Sequence, residues 1–221
     1  MKNRFSIVTI IWLFSILIIS CQNHAHLKEN NNKTIATIPP PPAIDDTVAY
    51  NKYLRGFECI HNGQLSLKER TNRFPFNKAK KVVLVSYQAG IIKVNDSVEC
   101  YSQVIPQING KIDFSSFKEM VTLDKKQIDT LTDILYNINY RNNETSTVEH
   151  CNCDFPTENA IVFLDNKNNC FAYIELCFAT DDYNLMPDTM NLGGFCKGKF
   201  QMIKNFISRQ GIEYGFIPPE I

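Results

Sequence analysis

The stretch Asn159-Ala-Ile-Val-Phe-Leu164, followed by Cys170-Phe-Ala-Tyr-Ile-Glu-Leu-Cys-Phe178, decides the fold of this chain. Both runs are rich in β-branched and aromatic residues, which are typical of strands. The segment Asp165-Asn-Lys-Asn-Asn169 separates them, and turn-forming residues between two such runs indicate a hairpin. We therefore predict an antiparallel strand pair here, followed by a polar loop over residues 180–191.

The rest of the chain supplies further strands and two main helices. Asp124 and Gln127 have the spacing of a capping box, and the apolar residues that follow lie on one helical face. Gly211 is a natural residue to follow the last helix. The predicted strands are 80–87, 98–104 and 117–123, and the predicted helices are 124–138 and 195–209. Because strands and helices do not alternate, we predict an α+β domain over residues 47–221, with an antiparallel-rich sheet packed with two helices.

The amino terminus has the pattern of a secretory signal. Lys2 and Arg4 precede an uncharged, mostly apolar run over residues 5–19, which is shorter than a membrane-spanning helix requires. Ile18-Ile19-Ser20-Cys21 resemble the lipobox of bacterial lipoproteins: aliphatic residues, a small residue and then cysteine. The resemblance implies a signal peptide over residues 1–20, cleavage before Cys21 and lipidation of the Cys21 sulfur.

Residues 21–46 have the composition of a linker between the lipidated cysteine and the domain. The segment contains Asn30-Asn-Asn32 and Pro39-Pro-Pro-Pro42 and few apolar residues, so it buries too little surface to offset its ordering entropy. We expect it to be disordered. Gln22 is not the acidic residue that often signals inner-membrane retention, so we expect a periplasm-facing protein on the outer membrane.

The charge balance bears on the partners. The chain carries 23 basic and 23 acidic residues, for a formal net charge of zero. Nucleic-acid binding needs clustered basic residues, and the sequence has no basic stripe. We therefore do not expect nucleic acid as a partner. The expected partners are the membrane, reached through Cys21, and a protein of the envelope.

The cysteines are the residues most suggestive of chemistry. The chain has eight, and Cys21 leaves an odd seven in a compartment that favours disulfides. Because one thiol is left over, at least one stays free or pairs with another chain. Cys153, Cys177 and Cys196 are expected to cluster. The disulfide candidates are Cys59, Cys100, Cys153, Cys177 and Cys196.

Two alternatives give these cysteines an activity. His150-Cys151-Asn152-Cys153 offers soft ligands close together, and Cys177 or Cys196 would complete a tetrahedral metal site. Alternatively, His150 lowers the pKa of a thiol at Cys151 or Cys153 for thiol–disulfide exchange. A lone Cys-x-Cys is a weak signal for either activity, so we expect no cofactor and no metal.

Glu175 and His61 are the remaining polar residues of note. Glu175 lies on the same strand face as Tyr173 and Cys177, and we expect it to be solvated on an open sheet face. Cys170 and Cys177 are an odd number of residues apart, which places them on opposite faces unless a bulge intervenes. We expect His61 to be structural or exposed.

From Cys153 onward the chain resembles a group of uncharacterised bacterial proteins. The similarity covers Cys153 with Pro156, and then Asn159–Phe163 and Tyr173–Phe178 of the hairpin. It recurs in the last helix region, at Leu192-Gly193, Phe195-Cys196, Lys199-Phe200 and Gly211-Ile212. Members of the group often carry a second cysteine shortly after the strand cysteine, where this chain has Ala179-Thr180-Asp181. The resemblance implies a shared domain and no particular reaction. Because the chain lacks the usual catalytic motifs, we expect a lipid-anchored binding or structural module rather than an enzyme.

Overall fold

The structure is a computed structural model that describes residues 42–89, 91–94, 98–101, 105–108, 111–141 and 157–216. The described residues belong to a compact unit, Ile38–Ile221. The helices are α1 (Thr47–Gly56), α2 (Leu67–Thr71), α3 (Lys125–Asn137) and α4 (Lys199–Arg209). The strands are β1 (Cys59–His61), β2 (Lys81–Tyr87), β3 (Ile91–Val94), β4 (Val98–Tyr101), β5 (Gln107–Ile108), β6 (Lys111–Ile112), β7 (Phe117–Thr122), β8 (Ile138–Tyr140), β9 (Asn159–Leu164), β10 (Cys170–Cys177) and β11 (Asp182–Met186).

A five-stranded antiparallel sheet is the centre of the fold. Its strand order is β11-β10-β9-β2-β7, and the hairpin of β9 and β10 predicted from the sequence forms part of it. Every residue of β9 is buried, as are the last six residues of β2. These two strands pair in the middle of the sheet, where both faces are covered, and this explains why their sequences are almost continuously apolar.

Helices α3 and α4 cover one face of the sheet. Leu131 and Leu135 of α3 and Ile203 and Ile207 of α4 contact alternate residues of the central strands, such as Ile161. This first core cluster contains most of the buried apolar side chains. The α+β class and the two main helices are thus confirmed.

A smaller second cluster covers the opposite face. It is formed by the other alternate residues of β2 and β9, among them Val83, Val85 and Val162. Ile105, at the start of the segment that leads into β5, lies over these residues and is almost fully buried. A connecting segment, rather than a helix, therefore covers this face where the structure describes it.

Helix α3 begins at the predicted capping box, whereas the last helix, α4, begins later than predicted. Asp124 accepts a hydrogen bond from the Gln127 backbone N–H at 2.8 Å, and the Gln127 side chain completes the capping box. The last helix begins at Lys199 rather than at residue 195. Gly198 has a left-handed backbone (φ 96°), and this conformation interrupts the helix that the apolar pattern suggested.

One loop prediction and one strand prediction also required correction. The predicted polar loop over 180–191 contains β11, an edge strand that pairs with β10 and packs Tyr183, Leu185 and Met186 against the core clusters. The strand predicted over 98–104 is described as Val98–Tyr101, and it pairs with β3 in a separate two-stranded hairpin. Among the described residues, no helix is both long enough and apolar enough to cross a bilayer.

Candidate functional site

A disulfide joins the amino-terminal part of the domain to the segment that leads into α4. Cys59 of β1 bonds to Cys196, with 5.1 Å between the Cα atoms and 137 residues of sequence separation. Strand β1 pairs with β8, and the Lys197 backbone N–H donates to the Phe57 carbonyl at 2.9 Å, which aligns the two segments. The sequence had grouped Cys196 with Cys153 and Cys177, and the partner is instead Cys59, because long-range strand pairing brings them together.

The disulfide bears directly on the metal alternative. A metal-binding cysteine must be a thiolate, so Cys196 supplies no ligand while its disulfide is intact. Among the described residues, no three His, Cys, Asp or Glu side chains lie close enough together to hold a metal ion. The other metal-ligand candidates, His150, Cys151 and Cys153, lie outside the described residues. The same holds for Cys21, the lipidation candidate, and for the side chain of Cys100, a disulfide candidate.

A β-bulge changes the position of Cys170. The pairing of β10 with β9 shifts register between Cys170 and Ala172, and Cys170 packs against the second core cluster with Tyr173. Cys170 therefore lies on the same face as Glu175 and Cys177, which regular alternation would have prevented. Burial raises the pKa of the Cys170 thiol to about 11, which disfavours the reactive thiolate. Cys177 is buried and accepts a hydrogen bond from the Thr180 hydroxyl at 3.1 Å.

Glu175 is buried rather than solvated, contrary to the sequence-based expectation. The residue is only 3% exposed, and its Oε1 atom accepts a hydrogen bond from the Ile105 backbone N–H. The Tyr87 hydroxyl lies 3.4 Å from the same oxygen and 3.3 Å from Thr157 Oγ1. Burial is the main cause that raises the pKa of Glu175 to about 7, and the hydrogen bonds partly oppose it. The expectation failed because nothing local to β10 indicates that Ile105 covers it.

Lys199 is a second buried ionisable group, and it stabilises the junction between the two helices. Its side chain is fully buried, and Nζ donates to the carbonyls of Leu135 and Gly194, both at 2.7 Å. The Leu135 carbonyl belongs to the last turn of α3, where a positive charge is favourable. Burial lowers the pKa of Lys199 to about 7. Lys199 lies four residues before Ile203 and so on the inner face of α4. This spacing was the signal in the sequence that Lys199 would be buried.

A cleft opens beside the first core cluster, where α2, β2, the end of β7 and the start of α3 meet. Its volume is about 330 Å³. The apolar side chains of Phe76, Val82 and Leu123 belong both to the cleft lining and to the core. The other lining residues are Leu67, Thr71, Ala79, Lys80, Lys81, Thr122, Lys125 and Ile128. The hydrophobic core is thus accessible at this point.

Three of the lining residues are exposed lysines, Lys80, Lys81 and Lys125. Among the described residues, no carboxylate lies within ion-pair distance of any of them. The carboxylate of Asp124, adjacent to Lys125 in sequence, accepts a backbone hydrogen bond at the start of α3. The cleft therefore combines an apolar floor with an unneutralised positive rim.

Ionic and hydrogen bonds fix the wall that α2 and α3 form. Arg70 of α2 is buried, donates to the Leu65 carbonyl at 2.6 Å, and forms an ion pair with Asp129 of α3. His61 contributes from β1, with Nε2 located 2.7 Å from a carboxylate oxygen of Asp133. His61 is thus exposed and pairs with α3, which agrees with the structural role expected for it. These contacts fix the position of α2 and β1 against α3.

Comparisons with protein-family models, with curated proteins and with solved structures returned no match. The lipobox and the resemblance to uncharacterised bacterial proteins therefore stay predictions from the sequence. The site must be interpreted from its own geometry. The cleft was not predicted from the sequence, because it is assembled from four separate segments. The only local signal for it was the adjacent pair Lys80 and Lys81 at the start of an apolar strand.

Proposed function

We propose that this protein is a lipid-anchored binding module of the bacterial envelope and that the cleft beside α2 and α3 is its ligand site. The observation that carries the proposal is an open cavity of about 330 Å³ with an apolar floor. Ligand sites in proteins are typically concave, largely preformed and apolar, with a few polar groups at their edge, and their volumes begin at about 300 Å³. The cleft has each of these properties.

The chemistry of the cleft favours binding over catalysis. Among the described residues that line it, the polar side chains are lysines and threonines, and none is a histidine, cysteine or carboxylate that would act as a general base or nucleophile. Glu175 and Lys199, whose pKa values burial shifts to about 7, form no part of the lining. The metal- or thiol-dependent alternative, which used Cys151, Cys153, Cys177 and Cys196, loses one of its ligands to the disulfide.

The amino-terminal sequence supports the location. The basic start, the short apolar run and Ser20-Cys21 favour lipidation of Cys21 and attachment to a membrane. Gln22 favours the outer membrane, with the domain facing the periplasm. In that compartment the Cys59–Cys196 disulfide is stable, because conditions there are oxidising.

The anchor is tested by Cys21→Ala. We expect this variant to accumulate as an unprocessed precursor without lipid, whereas Cys170→Ala, the matched control, is processed and lipidated normally. Metabolic labelling with a palmitate analogue and mass spectrometry of the amino terminus measure both effects. Normal release of a Cys21→Ala chain that starts at another residue would contradict the lipoprotein assignment.

The ligand site is tested by filling the cleft. A photoreactive, uncharged dodecanol is added to the full-length protein in membranes, and the labelled peptides are identified by mass spectrometry. We expect labelling of the cleft-lining peptides, reduced by Ala79→Phe, which projects a ring into the cavity. Ala49→Phe, at another half-buried alanine, serves as the control. Equal labelling of the cleft peptides in Ala79→Phe and in the unsubstituted protein would exclude the cleft as the ligand site.

A further inference from the structure

We propose that the occupant of the cleft is a detached, single-chain amphiphile with an anionic head group, of which a fatty acid is the simplest example. This inference rests on the proposed function, since it names the ligand class for the same site. Its basis is a pair of exposed lysines, Lys80 and Lys125, at the edge of an apolar floor, with no ion pair to either among the described residues.

The floor determines what the tail of the ligand must be. Phe76, Val82 and Leu123 are each less than a tenth exposed, and they are continuous with the main core cluster. An alkyl chain placed on them extends the packed apolar interior and removes its own surface from water, at about 25 cal/mol per Å². A sugar or a nucleotide would instead lose its hydration against side chains that offer no hydrogen bonds.

The rim determines the charge of the head group. Lys80 directly precedes β2 on the sheet face of Val82, and Lys125 begins α3, so positive side chains approach the cleft from two separate segments. Lys81 pairs with Leu164 of the second cluster, so its side chain lies on the other face of the sheet. Among the described residues these lysines form no ion pair. The chain is neutral overall, so the positive rim is a local feature rather than the consequence of a basic protein. A carboxylate head group complements this rim, whereas a cationic or zwitterionic one does not.

The size of the cleft favours one chain over two. A volume of about 330 Å³ lies at the lower end of the range for small-molecule sites, about 300–1,000 Å³. A two-chain phospholipid would leave one chain in water, or would have to remain in the bilayer. The occupant is therefore a free single-chain molecule that has left the membrane, rather than a head group of the bilayer surface.

The test compares photoreactive probes that share one alkyl chain and differ in head group. Photoreactive dodecanoate, dodecanol and dodecyltrimethylammonium are added to the full-length protein in zwitterionic membranes, and competition by the unlabelled compound gives an apparent Kd. Each exposed ion pair contributes about twofold to threefold in affinity, so with two lysines we expect dodecanoate to bind about fivefold more tightly than dodecanol. Dodecyltrimethylammonium should bind more weakly than either.

Charge reversal shows whether the lysines cause the preference. In Lys80→Glu/Lys125→Glu, we expect the preference for dodecanoate over dodecanol to disappear while dodecanol still labels the cleft. Lys118→Glu, at an exposed lysine of β7 that does not line the cleft, should retain it. Raising the salt to about 1 M provides a second measurement without substitution, because it shortens the Debye length to about 3 Å and should reduce the preference in the unsubstituted protein.

The outcomes separate this inference from the proposed function. Equal binding of dodecanol and dodecanoate in the cleft would overturn the anionic ligand class and leave the binding site intact. Cleft labelling by photoreactive phosphatidylglycerol in the bilayer, to the same extent as by dodecanoate, would make the occupant a membrane lipid and overturn the inference. If none of the probes labels the cleft, the inference and the proposed function both fail.

Discussion

Replacing the buried carboxyl group of Glu175 with an amide should change how the stability of the protein depends on pH. In Glu175→Gln the side chain keeps an oxygen that accepts the Ile105 N–H and approaches the Tyr87 hydroxyl, but it no longer titrates. Burial raises the pKa of Glu175 from 4.5 to about 7 in the folded protein. The unfolded chain, where the side chain is in water, returns to the ordinary value.

The direction of the effect follows from proton linkage. Between about pH 4.5 and pH 7 the folded protein holds a proton on Glu175 that the unfolded chain has lost. The stabilising contribution of this proton is present below pH 4.5 and is lost as the pH rises through 7. Since one pKa unit corresponds to about 1.4 kcal/mol, the loss amounts to about 3 kcal/mol. Glu175→Gln should avoid this loss.

Urea denaturation followed by circular dichroism, at intervals from about pH 4 to pH 8, measures the effect. The free energy of unfolding of Glu175→Gln, relative to the unsubstituted protein, should rise by about 3 kcal/mol across this range. Glu213→Gln removes an exposed carboxylate and should show no such rise. The comparison cancels the other titrating groups, which both proteins share. A pH-independent difference for Glu175→Gln would refute the burial of an ionisable Glu175.

Two further predictions concern the disulfide and the buried lysine. Cys59→Ala/Cys196→Ala opens a loop of 137 residues. The variant should lower the free energy of unfolding in urea by up to about 5 kcal/mol relative to a Cys170→Ala control. A change below about 0.5 kcal/mol would show that the bond does not form. Lys199 has a pKa lowered from 10.5 to about 7, so the unfolded chain binds its proton more tightly, and stability should rise by about 4 kcal/mol between about pH 7 and pH 10. Lys199→Met should lack this rise and the exposed-site control Lys197→Met should keep it, and an equal rise in both variants would contradict the lowered pKa.

The parts of the fold that the sequence predicted well are those specified by neighbouring residues. The capping box at Asp124 and Gln127 indicates where α3 begins, because both hydrogen bonds form within one turn. Strands β2 and β9 were predictable since two-sided burial leaves an unbroken run of apolar residues. In each case the residues that carry the signal lie within a few positions of one another in the sequence.

The features that the sequence did not predict depend on contacts between distant segments. Edge strand β11 is short and lies in a segment rich in Asp and Asn, and only its pairing with β10 defines it. The burial of Glu175 depends on Ile105, which is 70 residues away in sequence. The cleft draws its residues from α2, β2, β7 and α3, none of which has a pattern that reveals a cavity. Such sites become visible only when the tertiary structure is known.

The position of the disulfide has a mechanical consequence. If Cys21 is lipidated as proposed, the protein is pulled at its amino terminus whenever the membrane and the proposed ligand move apart. The three-residue pairing of β1 with β8 would open readily under such a load, since its few hydrogen bonds would break one after another. The bond from Cys59 to Cys196 instead transmits the force to the segment entering α4, whose inner face is part of the main core. Stretching would therefore extend the chain before Cys59 and leave the cleft in its resting shape.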